Sequence, residues 1–423
     1  MRIIVIGAGI VGLASAWFLA RDGHAVTVVD QETEVGRGAS FANGGQLSYS
    51  YVAPMAAPSV LRGLPGYLLR ANSPVRFQPS ADPAQWTWLL RFLRACNAGA
   101  GAIATAKLLA LSFHSRDMLH EMIGATGIAF HHRRNGKLVV QSSLAAQREA
   151  ELQMRLQATM GCVQEALTAA ECVALEPALA SLRGRLVGGI HTPSEEVGDC
   201  RMLCLGLERV LAAAPHGVTF ALGTRVEGMA MTGGRVAALR TSLGPMEADL
   251  YVLAAGAGSR GLGRWAALSL PVQAVRGYSI SARVRDGHAP PERSITDTAR
   301  KTVYAPIGGH MRVAGFAEVT AGTPEMRPGR VAALIATLQA TFPGLCDVED
   351  VQPWSGLRPA TPTGLPVIGP SRVANLMLNV GQGALGFTLA AGSGRLLADL
   401  VAGRPPALRA TDYAAPGGGR RTG

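Results

Sequence analysis

Apolar residues fall in short runs along this chain, and most of the runs break at glycine. Residues 3–6 are apolar throughout, Gly7-Ala8-Gly9-Ile10-Val11-Gly12 follows, and a second apolar stretch continues to Ala20. Another run, 26–29, ends at Asp30. The pattern predicts strand, glycine turn, helix and strand. It then changes: 36–46 is polar and turn-rich, and 51–83 is rich in proline and glycine. Helical spacing predicts helices over 86–99, 107–124 and 142–160, and 127–141 reads as a hairpin turning at Arg134-Asn135-Gly136. A helix over 199–214 precedes strand-like runs at 218–222, 235–241 and 248–254. Strands are predicted again at 272–285, 303–306, 311–316 and 376–380, with helices at 329–342 and 388–403. No repeat is visible.

The first of these units has a physical reading. Gly7 permits a tight turn, Gly9 lets backbone approach a pyrophosphate, and Gly12 lets helix pack on strand. The helix N-terminus offers free N–H groups and a positive dipole end to phosphates. Asp30 is placed to accept hydrogen bonds from a ribose hydroxyl. Arg2 followed by an apolar run also has the outline of a signal peptide or a first span, but the glycine spacing argues for dinucleotide binding. The chain is not expected to be an integral membrane protein.

Composition narrows the class. The 423 residues exceed one ordinary core and suggest two domains, and the 48% hydrophobic content can fill them. The formal charge of +11 comes mostly from arginine spread along the chain. It fits attraction to anionic substrates or an anionic membrane surface, and equally an arginine-biased composition with no specific partner. Nucleic acid is not an expected partner, because no basic run carries interleaved aromatics. Cys96, Cys162, Cys172, Cys200, Cys204 and Cys346 have no Cys-x-x-Cys spacing, so buried free thiols in a reducing cytoplasm are expected, and no metal. Of the nine histidines, His131 and His132 read as solvated, and His191 and His310 have no visible partner.

Glycine returns at two distant places, each after an apolar strand: Ala255-Gly256, and Gly381 with Gly383 and Gly386. Three separated glycine turns suggest one extended cofactor wrapped by separated segments, and FAD has that reach. The N-terminus of the last helix is placed to offer N–H groups to a flavin edge that becomes negative on reduction.

The fingerprint, Ser40-Phe41-Ala42-Asn43-Gly44-Gly45-Gln46, the run Pro271-Val272-Gln273-Ala274-Val275-Arg276-Gly277-Tyr278, Trp354-Ser355-Gly356-Leu357-Arg358-Pro359 and the closing glycine turn together resemble the D-amino-acid oxidase superfamily. Within it the chain is most similar to the bacterial D-amino acid dehydrogenases of the small-subunit type. The resemblance implies an α/β (overall α+β) fold. A glutathione-reductase-like Rossmann FAD domain (1–50, 195–270, 343–410) would interleave with an antiparallel-sheet substrate domain (51–194, 271–342), leaving 411–423 as a disordered tail. It further implies oxidative deamination of D-amino acids to 2-oxo acids and ammonia, by hydride transfer from Cα to flavin N5. Electrons would pass to a quinone, and the protein would be cytoplasmic, free or peripheral on the inner face of the cytoplasmic membrane.

Site roles follow the same resemblance. FAD would be held by Gly7, Gly9, Ile10, Val11, Gly12, Asp30, Gln31 and Arg37, then by Ser40, Asn43, Gly44, Gly45, Gln46 and Leu47. Val226, Ala255, Gly256 and Gly356 would join them, with Gly381, Gly383, Ala384, Leu385, Gly386, Phe387 and Thr388 closing the site. Arg358 matches the arginine that grips the substrate carboxylate, which a guanidinium fork does through two parallel charge-assisted bonds. Tyr304 resembles a tyrosine assisting the same carboxylate, and Tyr278 lies on a strand lining the pocket in the family. No catalytic base is nominated, because orientation and the cofactor suffice.

The closing motif departs from the family's common Gly-His-Gly-Thr-Leu-Gly-Trp, reading Gly381-Gln382-Gly383-Ala384-Leu385-Gly386-Phe387. Gln382 can hydrogen-bond where histidine can carry charge, so substrate preference and electron acceptor stay open. No histidine stands in the Ser40 loop and no cysteine near Arg358, so FAD is expected to be non-covalent. Two arginine-bearing apolar stretches, 60–70 and 86–94, are candidates for a membrane surface near quinone or for helices buried on their own domain. Three readings remain: a D-amino acid dehydrogenase, an oxidase of cyclic or N-methyl amino acids such as D-hydroxyproline, D-proline or sarcosine, and a FAD-carrying relay subunit.

Overall fold

The computed structural model describes residues 1–58, 60, 73–213, 217–320 and 325–415. Arg2–Ile6 (β1) and Ala25–Val29 (β2) pair in parallel, joined by the helix Ile10–Arg21 (α1). They sit inside a six-stranded sheet of order β19-β20-β13-β1-β2-β9. Its other members are Thr219–Ala221 (β9), Leu250–Leu253 (β13), Val367–Pro370 (β19) and Leu376–Val380 (β20). Only the β19–β20 pair is antiparallel. Strands buried on both faces read as continuous apolar runs, which is why β1 and β20 are legible as such.

The final helix, Gly386–Val401 (α9), packs between α1 and the long helix Ala98–Thr126 (α3). Glycines set that closeness. A Cβ at Gly394 would stand 2.8 Å from the Ala14 carbonyl carbon, and one at Gly392 2.8 Å from the Ser115 Cα. The segment Gly383–Val401 is long and apolar enough to cross a membrane, but most of it is buried in this packing.

A nine-stranded sheet forms the other half, ordered β18-β14-β17-β16-β15-β5-β7-β6, with Val75–Phe77 (β4) beside β17. Its strands are Lys137–Gln141 (β5), Glu165–Thr168 (β6), Gly188–Thr192 (β7), Gln273–Val284 (β14), Ser294–Asp297 (β15), Thr302–Ile307 (β16), His310–Val319 (β17) and Cys346–Ala360 (β18). The helix Pro328–Thr341 (α8) buries Leu334 and Leu338 with Tyr278, Ile280, Tyr304 and Val313 on one face of this sheet. Leu144–Ala158 (α4) and Ala169–Leu175 (α5) pack at its β5–β7 end. The small sheet Val226–Thr232 (β10), Arg235–Thr241 (β11) and Gly244–Met246 (β12) precedes β13, and Ser259–Trp265 (α7) follows it. Gln46–Leu47 (β3) and Glu196–Val197 (β8) make a two-stranded ribbon, after which Cys200–Ala213 (α6) begins.

Three placements differ from the sequence reading. The 127–141 hairpin does not form: β5 pairs with β15 and β7, and the preceding segment makes only the bridge Arg133–Val197. Ile128 and Phe130 are buried in the core around α1, so that segment follows its apolar side chains rather than the nearest turn. Helix α3, expected with the substrate sheet, buries Leu108, Leu111 and Met122 in that same core. Strand β18, expected within the FAD domain, is the edge of the nine-stranded sheet, because its pairing with β14 runs almost its full length. The helix Pro83–Ala95 (α2) buries Trp88 and Phe92, stacked 5.1 Å apart, and exposes Trp86 and Leu90. Residues 61–70 of the other candidate membrane stretch lie outside the described residues.

Candidate functional site

The site begins at the N-terminus of α1. Gly7 has φ +118°, and a Cβ there would come within 2.6 Å of the Ala254 carbonyl oxygen. One at Gly12 would come within 1.9 Å of the Gly7 carbonyl oxygen, so neither position accepts a side chain. Ser40 Oγ accepts from Ile10 N at 3.1 Å. Gly9, at the N-cap, contributes no side chain, and Val11 and Gly12 have no carbonyl acceptor within the helix. The Asp30 carboxylate accepts from Ala8 N at 2.7 Å and Glu32 N at 2.9 Å, which fixes the acid at the end of β2 beside the turn. Gly256 (φ +53°) and Gly383 (φ +59°) face open space, where a built Cβ meets nothing within 4 Å. These are the features a dinucleotide cradle needs: donors at a helix end, a carboxylate beside them and glycines bordering open room.

Other expected cofactor residues sit less directly. Gln31 is exposed, Arg37 pairs with Glu34 and stacks on Phe41, and Val226 is buried at the start of β10. Phe387 packs edge-on against Phe130 in the core. Gln382 turns inward, donating to Asn379 Oδ1 at 2.6 Å, while Asn379 donates to Ser15 Oγ. Its amide is therefore committed within the nucleotide half.

Residues 42–48 cross from one half to the other. Ser279 Oγ donates to the Ala42 carbonyl (2.6 Å), Arg312 to the Asn43 carbonyl (2.9 Å), and Gly45 N to Asn43 Oδ1 (3.0 Å). A Cβ at Gly44 would meet Val303 at 3.1 Å, and one at Gly45 would meet Ile307 Cδ1 at 2.2 Å, so this loop lies flat on the sheet. Ser48 N then donates to Thr388 Oγ1, tying the ribbon to α9.

The ribbon carries two successive buried glutamates on opposite faces. Toward the sheet, Ser50 N donates to Glu195 at 2.6 Å, and Lys137 Nζ donates to Gln46 Oε1 (3.0 Å) and Ser48 Oγ (2.9 Å). Burial pushes the Lys137 ammonium down to about 8 and the Glu195 carboxyl up. Toward α3, Tyr49, His120 and His132 converge on Glu196. His132 is thus not a solvated side chain: tertiary contact gives it a buried carboxylate that its sequence neighbours do not reveal.

Arg358 lies on the loop-facing side of the sheet, its Nη1 donating to the Phe316 carbonyl at 2.8 Å. It lies across Gly277, where a Cβ would be 2.5 Å from Nη2. Among the described residues no carboxylate is within ion-pair distance of it, and burial disfavours its charge. Gly356, opposite Gly277, lies under the Trp354 indole. The two tyrosines are corrections. Tyr278 donates to Glu318 at 3.1 Å, and Tyr304 bonds Thr341 at 2.9 Å, both in the core under α8. Successive strand residues face opposite ways, so Ser279 and Val303, one position along, meet the loop instead. Arg312 and Lys137 are site-face residues that sequence reasoning passed over, since only cross-strand register places them.

Comparisons with known proteins agree with this geometry. The profile of the FAD dependent oxidoreductase (DAO) family matches residues 2–400. Relatives include D-amino acid dehydrogenase 2 of Ralstonia nicotianae, 48% identical over 98% of this chain and 99% of the relative. D-amino acid dehydrogenase 2 of Pseudomonas aeruginosa is 44% identical over 97% of each. Among solved structures, glycine oxidase from Geobacillus kaustophilus superposes with a TM-score of 0.76 at 22% identity, covering 98% of each chain. L-proline dehydrogenase from P. horikoshii gives 0.76 at 15%, covering 98% and 96%. At such identities the superpositions speak to the fold alone. Cradle, loop and family match converge on one conclusion: the chain belongs to the DAO family of FAD dependent oxidoreductases, with FAD as its cofactor.

Proposed function

We propose that this enzyme is a D-amino acid dehydrogenase, oxidising D-amino acids to 2-oxo acids and ammonia and passing the electrons to a quinone. The observation that carries the reading is Arg358, a half-buried guanidinium with no carboxylate partner among the described residues, on the sheet face that receives the 42–48 loop. A substrate carboxylate satisfies it through two parallel bonds and so fixes the orientation of Cα. The relatives' names, at 44% and 48% identity, support a D-amino acid as the substrate. Bound FAD supplies the hydride acceptor. The chain's own residues bind and orient: Arg358 would hold the carboxylate, Gly277 leaves room for its guanidinium, and the 42–48 loop and the N-terminus of α9 would hold the flavin. FAD is held without a covalent link. The exposed Trp86 and Leu90 of α2, next to Arg91 and Arg94, support a peripheral contact with an anionic membrane surface at its cytoplasmic side.

Anaerobic bleaching of the flavin tests this. Primary D-amino acids should bleach it and their L-forms should not, with slow recovery in air and fast recovery on adding a quinone. Bleaching by D-proline or sarcosine alone would move the substrate to cyclic or N-methyl amines. No bleaching by any of them would overturn the assignment of Arg358.

A further inference from the structure

Glu196 faces away from the substrate sheet, and three separate segments bring polar groups to it. His120 Nε2, from α3, is 2.7 Å from Glu196 Oε1. His132 Nε2, from the segment ahead of β5, is 2.7 Å from Oε2. The three ligating atoms lie within 4.8 Å of one another. We propose that His120, His132 and Glu196 form a binding site for a divalent transition metal ion, with zinc as the best match. The proposal does not depend on the substrate assigned above.

The donor set is the first argument. Two imidazole nitrogens and one carboxylate oxygen suit zinc, with water in the fourth position, and do not suit magnesium or calcium, which take oxygen ligands. Support around the ligands is the second. The Tyr49 hydroxyl donates to Glu196 Oε2 at 3.0 Å, and Phe130 stacks on the His132 ring at 5.1 Å, so carboxylate and imidazole are both held in place. Access is the third. The His120 and His132 side chains are 25% and 17% exposed while Glu196 is 3% exposed, so an ion can enter past the imidazoles to a buried charge. An entering ion would take the Nε2 lone pair of each imidazole, whose single proton then sits on Nδ1. Arg134 Nε, 3.5 Å from Oε1 on a side chain 64% exposed, opposes a cation and has room to swing away. The ion would clip α3, the 127–136 segment and the ribbon that continues from the Gly44-Gly45 loop.

The test uses the FAD-loaded, chelator-treated full chain. Zinc is titrated in competition with a chromophoric indicator, and cobalt is followed by its ligand-field absorption. One equivalent should bind at micromolar concentration or below at neutral pH. His120→Asn and His132→Asn should each weaken binding at least about 10–100-fold, Arg134→Ser should tighten it, and His131→Asn should leave it unchanged. Flavin absorbance in each variant shows that the fold and cofactor persist. Absence of micromolar binding by the wild type would overturn the proposal. Equal binding by the wild type and both His120 and His132 variants would do the same.

Discussion

The guanidinium of Arg358 lies where any side chain on Gly277 would displace it. Its polar neighbour is a backbone carbonyl, that of Phe316. A charged group so placed gains most from an incoming anion, because each charge-assisted bond is worth about 1.5–3 kcal/mol. Arg358→Ala is therefore expected to weaken substrate binding in the anaerobic half-reaction at least about 100-fold while FAD stays bound. Tyr304 makes the contrasting case. Its hydroxyl bonds Thr341, and burial pushes its phenol well above the ordinary range. Tyr304→Phe should cost about 0.5–1.5 kcal/mol in denaturant unfolding and leave the rate of flavin reduction unchanged. Slower reduction in Tyr304→Phe would return it to the site.

At the scale of elements, the β3–β8 ribbon is held from both faces by buried charge. On the sheet side Lys137 and Glu195 are both essentially inaccessible. Removing one member of such a pair leaves the other uncompensated, so Lys137→Met should cost about 3–5 kcal/mol in an unfolding titration, and adding Glu195→Leu should recover most of it. The pH dependence has a definite sign. Folding lowers the Lys137 value from 10.5 to about 8, so the folded state releases that proton first. Its contribution to stability is constant below about 8 and rises with pH up to 10.5. Glu195 is raised, so its contribution is greatest in acid and falls as pH climbs through the carboxylate range. Wild type minus the double variant, followed by unfolding midpoint against pH, should therefore fall in acid and rise in base. A flat difference would mean that the pair is hydrated.

For the whole molecule, the six-stranded and nine-stranded sheets are tied together at the 42–48 loop, and the bridge Ala360–Gln382 joins β18 to the glycine turn ahead of α9. FAD binds the folded state, so it stabilises by mass action: at a hundredfold excess over its Kd, about 2.7 kcal/mol. Stripped protein should unfold several degrees below the FAD-loaded form, and the gap should widen with added FAD. A gap that ignores FAD concentration would indicate tightly retained or covalent cofactor.

The amino-acid sequence by itself determined the local pieces. Residues 3–12 and 26–30 announce the nucleotide unit because turn, helix start and strand end are consecutive in the chain. Likewise β20 and the glycines after it are legible because a strand buried on both faces must be apolar and a turn at positive φ, as at Gly381 and Gly383, favours glycine. Arg358 stands out through its family-like Gly-Leu-Arg-Pro setting, and the fold puts it on the sheet face that receives the 42–48 loop. Tertiary structure alone decided which face a strand residue takes and what it meets there. Tyr304 and Val303 differ by one position, yet register sends one under α8 and the other to the loop. The same holds for Lys137, His120 and His132. Each reads as an ordinary surface type in its own segment, and each meets a buried glutamate only because distant strands and helices pack around one ribbon. Pairing of charges across long chain separations leaves no periodic trace, since the physics that fixes it is desolvation at a contact made only by folding.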